Sequence, residues 1–331
     1  MRGKVTDAEG GGDEMTGRTP SGVTLFVGLG RMGEPMARRY ADTHATVLFD
    51  IDKDTTERLA ADLDAVPVDT LSDLPTRLDT VILMLPDSRV VESVLIGDKS
   101  HGGLLNRLPR GTLVIDMGSS EPASTRNLAD VASQLGVHYV DAPVSGGVAK
   151  AGTGELSIMV GGDPISVGLA QPHLVPFGSN IVTVGPSGAG HAAKALNNLL
   201  SATNLAAAAE ILCVAQSAGI EPDVMVKVLN SSTGRSQATE VKYPQHILTG
   251  TFASGFEMDL MLKDLAIAAG LSREAGVSTP ITSRTLATLD DARRWLDASG
   301  LDHTEIARFY EGINHALLRS SPVSSTERPN E

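Results

Sequence analysis

Four groups of residues have the types and spacing to do chemistry. Gly28, Gly30 and Gly33 form G-x-G-x-x-G directly after the apolar run Val23–Val27 and at the start of a helical stretch. In that position one glycine makes a tight turn, one lets backbone amides approach a pyrophosphate, and one packs helix on strand. The helix N-terminus favours the negative charge. Leu29, Arg31 and Met32 complete this candidate turn. Asp50 ends the next strand, 17 residues beyond Gly33. A carboxylate there accepts both ribose hydroxyls of NAD and repels a 2′-phosphate, so NAD is favoured over NADP, although Lys53 or Arg39 could reach such a phosphate. Ser145, Gly146 and Gly147 follow a strand and can turn backbone amides and a hydroxyl toward an anion. An ordinary Gly-Gly turn reads the same way. Lys194 and Asn198 stand at i and i+4, one turn apart on one helix face. Lys194 lies among Ala192, Ala193, Ala195 and Leu196, which sits poorly with a solvated charge.

The elements around these residues alternate in the first half of the chain. Strand-like runs are Val23–Val27, Thr46–Phe49, Val81–Leu85, Leu113–Ile115, Tyr139–Val144 and Ser157–Val160. Helical stretches cover Met32–Thr43, Thr55–Leu63, Ser88–Leu95 and Glu121–Gln134, which predicts a mainly parallel sheet covered on both faces. After Gly190 no Gly or Pro occurs before Gly219. A helix of that length measures about 43 Å at 1.5 Å per residue. Further helical patterns occupy Asp223–Leu229, Leu260–Ala275, Thr282–Ala298 and Thr304–Leu318. The expected fold is an α/β Rossmann-type domain over 22–188 and an all-α domain over 189–319, joined by the long helix. A disordered leader at 1–21 and a disordered tail at 320–331 flank them. The cleft between the two domains is the expected ligand site.

Composition narrows the function classes. The 331 residues carry 27 basic and 40 acidic side chains, a net charge of −13, which argues against nucleic acid and against an anionic membrane surface. Cys213 is the sole cysteine, and the eight histidines are scattered, so no metal site is expected. No apolar run is read as membrane-spanning and no secretory signal is read at the N-terminus, so the expected compartment is cytoplasmic.

The chain resembles the 3-hydroxyisobutyrate dehydrogenase (β-hydroxyacid dehydrogenase) family from about Val23 to Leu318. The carriers are G-L-G-R-M-G-E-P-M-A at 28–37, D-A-P-V-S-G-G at 141–147 with G-E-L-S-I-M-V-G-G at 154–162, G-A-G-H-A-A-K-A-L-N-N at 188–198, and G-F-E-M-D-L-M-L-K-D-L at 255–265. Arg39 departs from the Asn or His usual there. The resemblance implies that Ser145–Gly147 bind the substrate carboxylate, Lys194 is the general acid/base, and Asn198 orients the substrate or the lysine. A lysine performs that role at neutral pH when burial or a neighbouring cation lowers its pKa, and Lys263 could supply that cation. Phe256 and Lys263 are implied near the nicotinamide, Leu85 and Pro86 at the sheet's carboxyl edge, and Ser119 at the nicotinamide ribose. The segment 116–122 departs from the usual pattern at Gly118 and Ser120, and Ser120–Pro122 also reads as a helix start. N-S-S-T-G-R at 230–235 makes Ser232 and Arg235 candidates for substrate recognition.

The implied activity is reversible NAD-dependent hydride transfer to or from a short 3-hydroxy acid or its semialdehyde, in a homodimer or homotetramer. Alternatives are a tartronate semialdehyde reductase, a threonate or 4-hydroxybutyrate dehydrogenase, an imine reductase, or a non-catalytic dinucleotide-binding scaffold. Lys194 counts against the last two. 6-Phosphogluconate dehydrogenase is disfavoured by length and by its His-Asn pattern. A sulfonate-specific reductase is disfavoured by the intact Ser145–Gly147 element.

Overall fold

The computed structural model describes residues 22–75, 77–97 and 102–320. The expected leader, and the expected tail beyond Ser320, lie outside the described residues. β1 (Val23–Val27) sits inside a nine-stranded sheet. β2 (Ala45–Phe49) and β3 (Val66–Pro67) extend the sheet on one side of β1. β4 (Thr80–Leu83), β5 (Leu113–Asp116) and β6 (His138–Asp141) extend it on the other, all parallel. The chain leaves β1 first to one side and later returns to the other. That reversal opens a crevice at the carboxyl ends of β1 and β4.

Both faces of the sheet are covered, which explains why its strands read as unbroken apolar runs. Phe26, Ile82 and Ile115 pack into one buried cluster, while Leu25, Val27, Val81, Leu83 and Val114 pack into the opposite one. The covering helices are α1 (Gly33–Ala41), α2 (Lys53–Leu63), α3 (Ser88–Leu95), α4 (Pro122–Leu135), α5 (Gly147–Thr153) and α6 (Pro164–Leu174). The run Tyr139–Val144, expected as one strand, breaks at Ala142–Pro143 into β6 and a short β7 (Val144–Ser145). β8 (Ser157–Gly161) runs antiparallel to both, and β9 (Asn180–Gly185) pairs with β8 in parallel.

Under the sheet, Tyr40 Oη bonds Thr24 Oγ1 at 2.9 Å and His173 Nδ1 at 2.5 Å, and His173 Nε2 reaches Thr80 Oγ1 at 3.3 Å. Burial, aided by the His44 charge, pushes His173 down to about 4. A base lowered in the folded state binds fewer protons there than when unfolded. His173 alone is therefore expected to lower stability by about 3 kcal/mol as pH drops from 6.5 to 4, at ~1.36 kcal/mol per pH unit. Urea midpoints across that window check it. His173→Gln should give a shallower slope, with a remainder from His303, also held at about 4.

The helical half begins with α7 (Ala189–Ser217), 29 residues long. α8 (Pro222–Asn230), a π-helical segment Ala238–Ile247, α9 (Met258–Glu274), α10 (Pro280–Leu296) and α11 (Ile306–Asn314) surround it. Leu205, Ala209 and Leu212 of α7 share one buried cluster with Met261, Leu265, Leu289 and Ile306. By length and composition alone α7 could cross a bilayer, since an 18-residue stretch of it has a mean hydropathy of 1.4, which corrects the expectation that no such run exists. Half of that stretch is buried by the surrounding helices, as in the core helix of a helical layer.

Candidate active site

The glycine turn has the shape that a pyrophosphate requires. Gly28 takes φ +95°, and a Cβ there would stand 2.4 Å from Met84 O. A Cβ on Gly33 would stand 1.9 Å from Gly28 O, so helix and turn are in backbone contact. Gly30 has nothing within 4 Å of its Cβ direction, which leaves open space over the first turn of α1. A dinucleotide's phosphates fit this cradle, because a side chain would fill it. Leu29 is buried and Met32 packs against the core, so these two contribute backbone and packing. Arg31 is exposed and crosses the crevice to Glu257 at 3.2 Å.

Asp50 stands at the rim, where its Oδ2 accepts from Leu29 N at 2.6 Å and its Oδ1 from Asp52 N at 2.9 Å. The carboxylate is thereby fixed to the turn while remaining part-exposed. Neither base that could meet a 2′-phosphate is free. Arg39 Nε donates to Pro176 O at 2.9 Å, and Lys53 pairs with Asp69 at 3.6 Å.

Across the crevice, α7 carries Lys194 and Asn198, and α9 carries Lys263 and Asp264. The buried Asp141 at the end of β6 sets α7 in place: its Oδ1 accepts from Gly188 N at 2.8 Å and its Oδ2 from His191 N at 3.0 Å. A carboxylate at a helix N-terminus satisfies orphan amides and complements the dipole. One turn further, Lys194 is half-buried, and its Nζ makes no hydrogen bond or ion pair with any described residue. Burial pushes its pKa down, Asp264 opposes that fall, and Lys263 adds to it.

Asp264 is the hub of the site. Its carboxylate is buried and accepts from Ser119 Oγ and from Asn198 Nδ2, each at 2.6 Å. Since the carboxylate takes only donors, the Asn198 amide presents Nδ2 to it and turns Oδ1 the other way. Lys263 Nζ lies 3.5 Å from Asp264 Oδ1 and donates to Ser119 O at 2.6 Å and Pro86 O at 2.9 Å. Lys263 thus ties the helical half to the ends of β4 and β5, close to Lys194.

The structure brings together Lys194, Asn198, Lys263, Ser119 and Pro86, with Leu85 beside Gly28. Ser119 keeps its place at the crevice, but its proton is committed to Asp264. Ser145 is half-buried, and Gly146 and Gly147 are exposed with φ of 145° and 74°, at the start of α5. Ser232 and Arg235 stay exposed after α8, and Arg235 pairs with Glu240 at 3.5 Å; neither is bonded to Lys194. Phe256 packs edge-on against His303, with ring centroids 5.4 Å apart. Sequence reasoning missed Asp141, Asp264 and Lys242, whose Nζ bonds Ser201 Oγ at 2.9 Å. A signal for Asp264 existed: it interrupts the apolar stripe Met261, Leu265, Ala268 at helical spacing.

Known proteins match this chain over most of its length. Residues 24–185 match the profile described as the NAD binding domain of 6-phosphogluconate dehydrogenase. Residues 188–310 match the one described as NAD-binding of NADP-dependent 3-hydroxyisobutyrate dehydrogenase. The 2-(hydroxymethyl)glutarate dehydrogenase of Eubacterium barkeri is 38% identical over 269 residues, 81% of this chain and 88% of that protein. The 3-hydroxyisobutyrate dehydrogenase of Pseudomonas aeruginosa is 34% identical over 296 residues, 87% of this chain and 98% of that protein. Among solved structures, Mycobacterium tuberculosis 3-hydroxyisobutyrate dehydrogenase with L-serine superposes with a TM-score of 0.78 at 29% identity, covering 87% of this chain and 98% of that one.

Proposed function

This chain belongs to the β-hydroxyacid dehydrogenase family, that of 3-hydroxyisobutyrate dehydrogenase, and from that premise we propose that it interconverts a short 3-hydroxy acid and its semialdehyde with NAD. The observation that carries this reading is Lys194: a half-buried amine, lowered in pKa, bonded to no described residue, beside an Asn198 amide fixed by Asp264. The compounds in the relatives' names share a hydroxyl on the carbon next to the one bearing a carboxylate, which is the pattern such a site handles.

The glycine turn and Asp50 would hold the dinucleotide, whose nicotinamide supplies the hydride acceptor or donor. In the oxidising direction, neutral Lys194 takes the proton from the substrate hydroxyl as the carbon loses its hydride. In the reducing direction the ammonium returns that proton to the forming alkoxide. The Asn198 amide oxygen faces away from Asp264, where it accepts from Asn197 Nδ2 at 3.3 Å and keeps a second lone pair for the hydroxyl or the lysine. The Ser145–Gly147 turn offers amides and a hydroxyl to the carboxylate. Holding the reactants in one orientation supplies much of the acceleration. Leu196, Leu200, Ile211 and Val214 form an exposed apolar seam along α7, which supports a homo-oligomer.

The test is a panel of C3–C5 hydroxy acids and semialdehydes, followed by NADH and NADPH absorbance. We expect turnover of a hydroxy acid with a preference for NAD of ~10-fold or more, which Asp50→Ser should narrow by removing the charge that repels a 2′-phosphate. A preference for NADP by the unmodified enzyme would sink the cofactor assignment, and NADH binding without turnover of any panel member would sink the activity.

A further inference from the structure

Lys194 and Asn198 continue along α7 to Ser201, at i, i+4 and i+7, so all three share one face of the helix. From Lys194 to Ser201 the helix rises about 10 Å at 1.5 Å per residue, within the span of a short acid and two extended side chains. Ser201 Oγ accepts a hydrogen bond from Lys242 Nζ at 2.9 Å. Lys242 comes from the π-helical segment Ala238–Ile247, whose next residue, Tyr243, anchors it by donating from its hydroxyl to Leu205 O at 2.8 Å. The ammonium is therefore held at a fixed place in the row that begins with Lys194.

That ammonium lacks a direct anionic partner among the described residues. It forms no ion pair with any described residue, and Ser201 is its sole hydrogen-bond partner among them. Asp302 is near enough to act on it, but its carboxylate is saturated by Ser254 Oγ, Gly255 N, Thr304 N and Thr304 Oγ1. His303, also close, is kept neutral, chiefly by burial and then by Lys242 itself. Burial holds Lys242 down to about 8, with Asp302 opposing the fall and Lys194 adding to it. A partly buried cation whose nearby carboxylate lies outside ion-pair contact is stabilised further by an anion that the ligand brings.

We propose that Lys242, seated on Ser201, is a specificity-determining residue that receives a second carboxylate of the substrate, so that the preferred substrate is a dicarboxylic 3-hydroxy acid. This rests on the reading of the site as that of a 3-hydroxyacid dehydrogenase. One ammonium and one hydroxyl match a single carboxylate, whereas a phosphate would call for further donors.

The test compares 3-hydroxyisobutyrate with 2-(hydroxymethyl)succinate and 2-(hydroxymethyl)glutarate in the unmodified enzyme, Lys242→Met and Lys242→Arg. The unmodified enzyme is expected to favour a diacid at least ~10-fold in kcat/KM, the lower bound for a hydrogen bond to a charged group. Lys242→Met should raise the diacid KM by ~10- to 100-fold with kcat little changed and the monoacid unaffected, and Lys242→Arg should restore much of the preference. Calorimetric titration of the enzyme–NADH complex with glutarate and with butyrate gives a readout independent of turnover. Glutarate should bind more tightly, and only while Lys242 is present.

No diacid preference, or equal losses on monoacid and diacid in Lys242→Met, overturns the proposal and leaves the dehydrogenase reading standing. Lys242-dependent glutarate binding without turnover of any hydroxy acid keeps the carboxylate-receiving role of Lys242 and overturns the dehydrogenase reading, and with it the substrate preference.

Discussion

Lys194→Ala is expected to lower kcat by about 10³-fold in both directions, within the range that positioned proton transfer supplies. Its affinity for NADH should change little, because the cradle of Gly28, Gly30 and Gly33 and the carboxylate of Asp50 belong to the other half of the molecule. Lys194→Arg should be nearly as damaged, since a guanidinium keeps its proton at any working pH and cannot serve as a base. The unmodified enzyme adds a pH test. Oxidation needs the neutral amine, so its rate should fall as pH drops through the Lys194 pKa, which burial and Lys263 place below the ordinary lysine value. Reduction needs the ammonium and should fall in the opposite sense. Stopped-flow absorbance of both directions, with NADH fluorescence for binding, checks all of this. Lys194→Ala activity within tenfold of the unmodified enzyme would remove the lysine from the chemistry.

The parts of this fold legible in sequence are those whose pattern records a single environment. β1, β4 and β5 read as strands because both sheet faces bury them, and α7 reads as one helix because nothing interrupts it after Gly190. β9 stayed invisible because Asn180–Gly185 lies at the sheet's margin with no buried face to leave a pattern. α6 buries Ser166 and His173, exposes Ile165 and Leu169, and carries Pro172, so no helical period stands out. The π-helical segment defeats a search at 3.6 residues per turn, since its i→i+5 bonds rotate the side chains differently. Lys242 sits in that segment, so its place beside Ser201 could not be read from spacing. Lys194 and Asn198 could be, because i and i+4 on one uninterrupted helix is a local relation. Asp264 lies between these cases: the interrupted stripe of α9 marks it as buried, but its partners come from α7 and the β5–α4 connection, far away in sequence.

Asp264→Asn should show what that hub does. The carboxylate offers acceptors to Ser119 Oγ and Asn198 Nδ2 at once, and an amide can satisfy only one of these donors without a rotation. Bonds to a charged partner contribute about 1.5–3 kcal/mol, so disordering the Asn198 amide is expected to cost about 10²-fold in kcat/KM. Asp264→Ala, which leaves both donors unpaired in a buried place, should in addition destabilise the fold by about 3 kcal/mol in a urea titration. The pH profile separates electrostatics from simple damage. Asp264 is the charge that holds the Lys194 pKa up against burial and Lys263. Without it the Lys194 pKa falls further, so the acidic limb of the oxidation profile in Asp264→Asn should move to lower pH even as the plateau drops. A purely structural residue would lower the plateau and leave the limb in place. An unmoved limb would mean that Asp264 acts on geometry alone, and that burial with Lys263 suffices to set the proton affinity of Lys194.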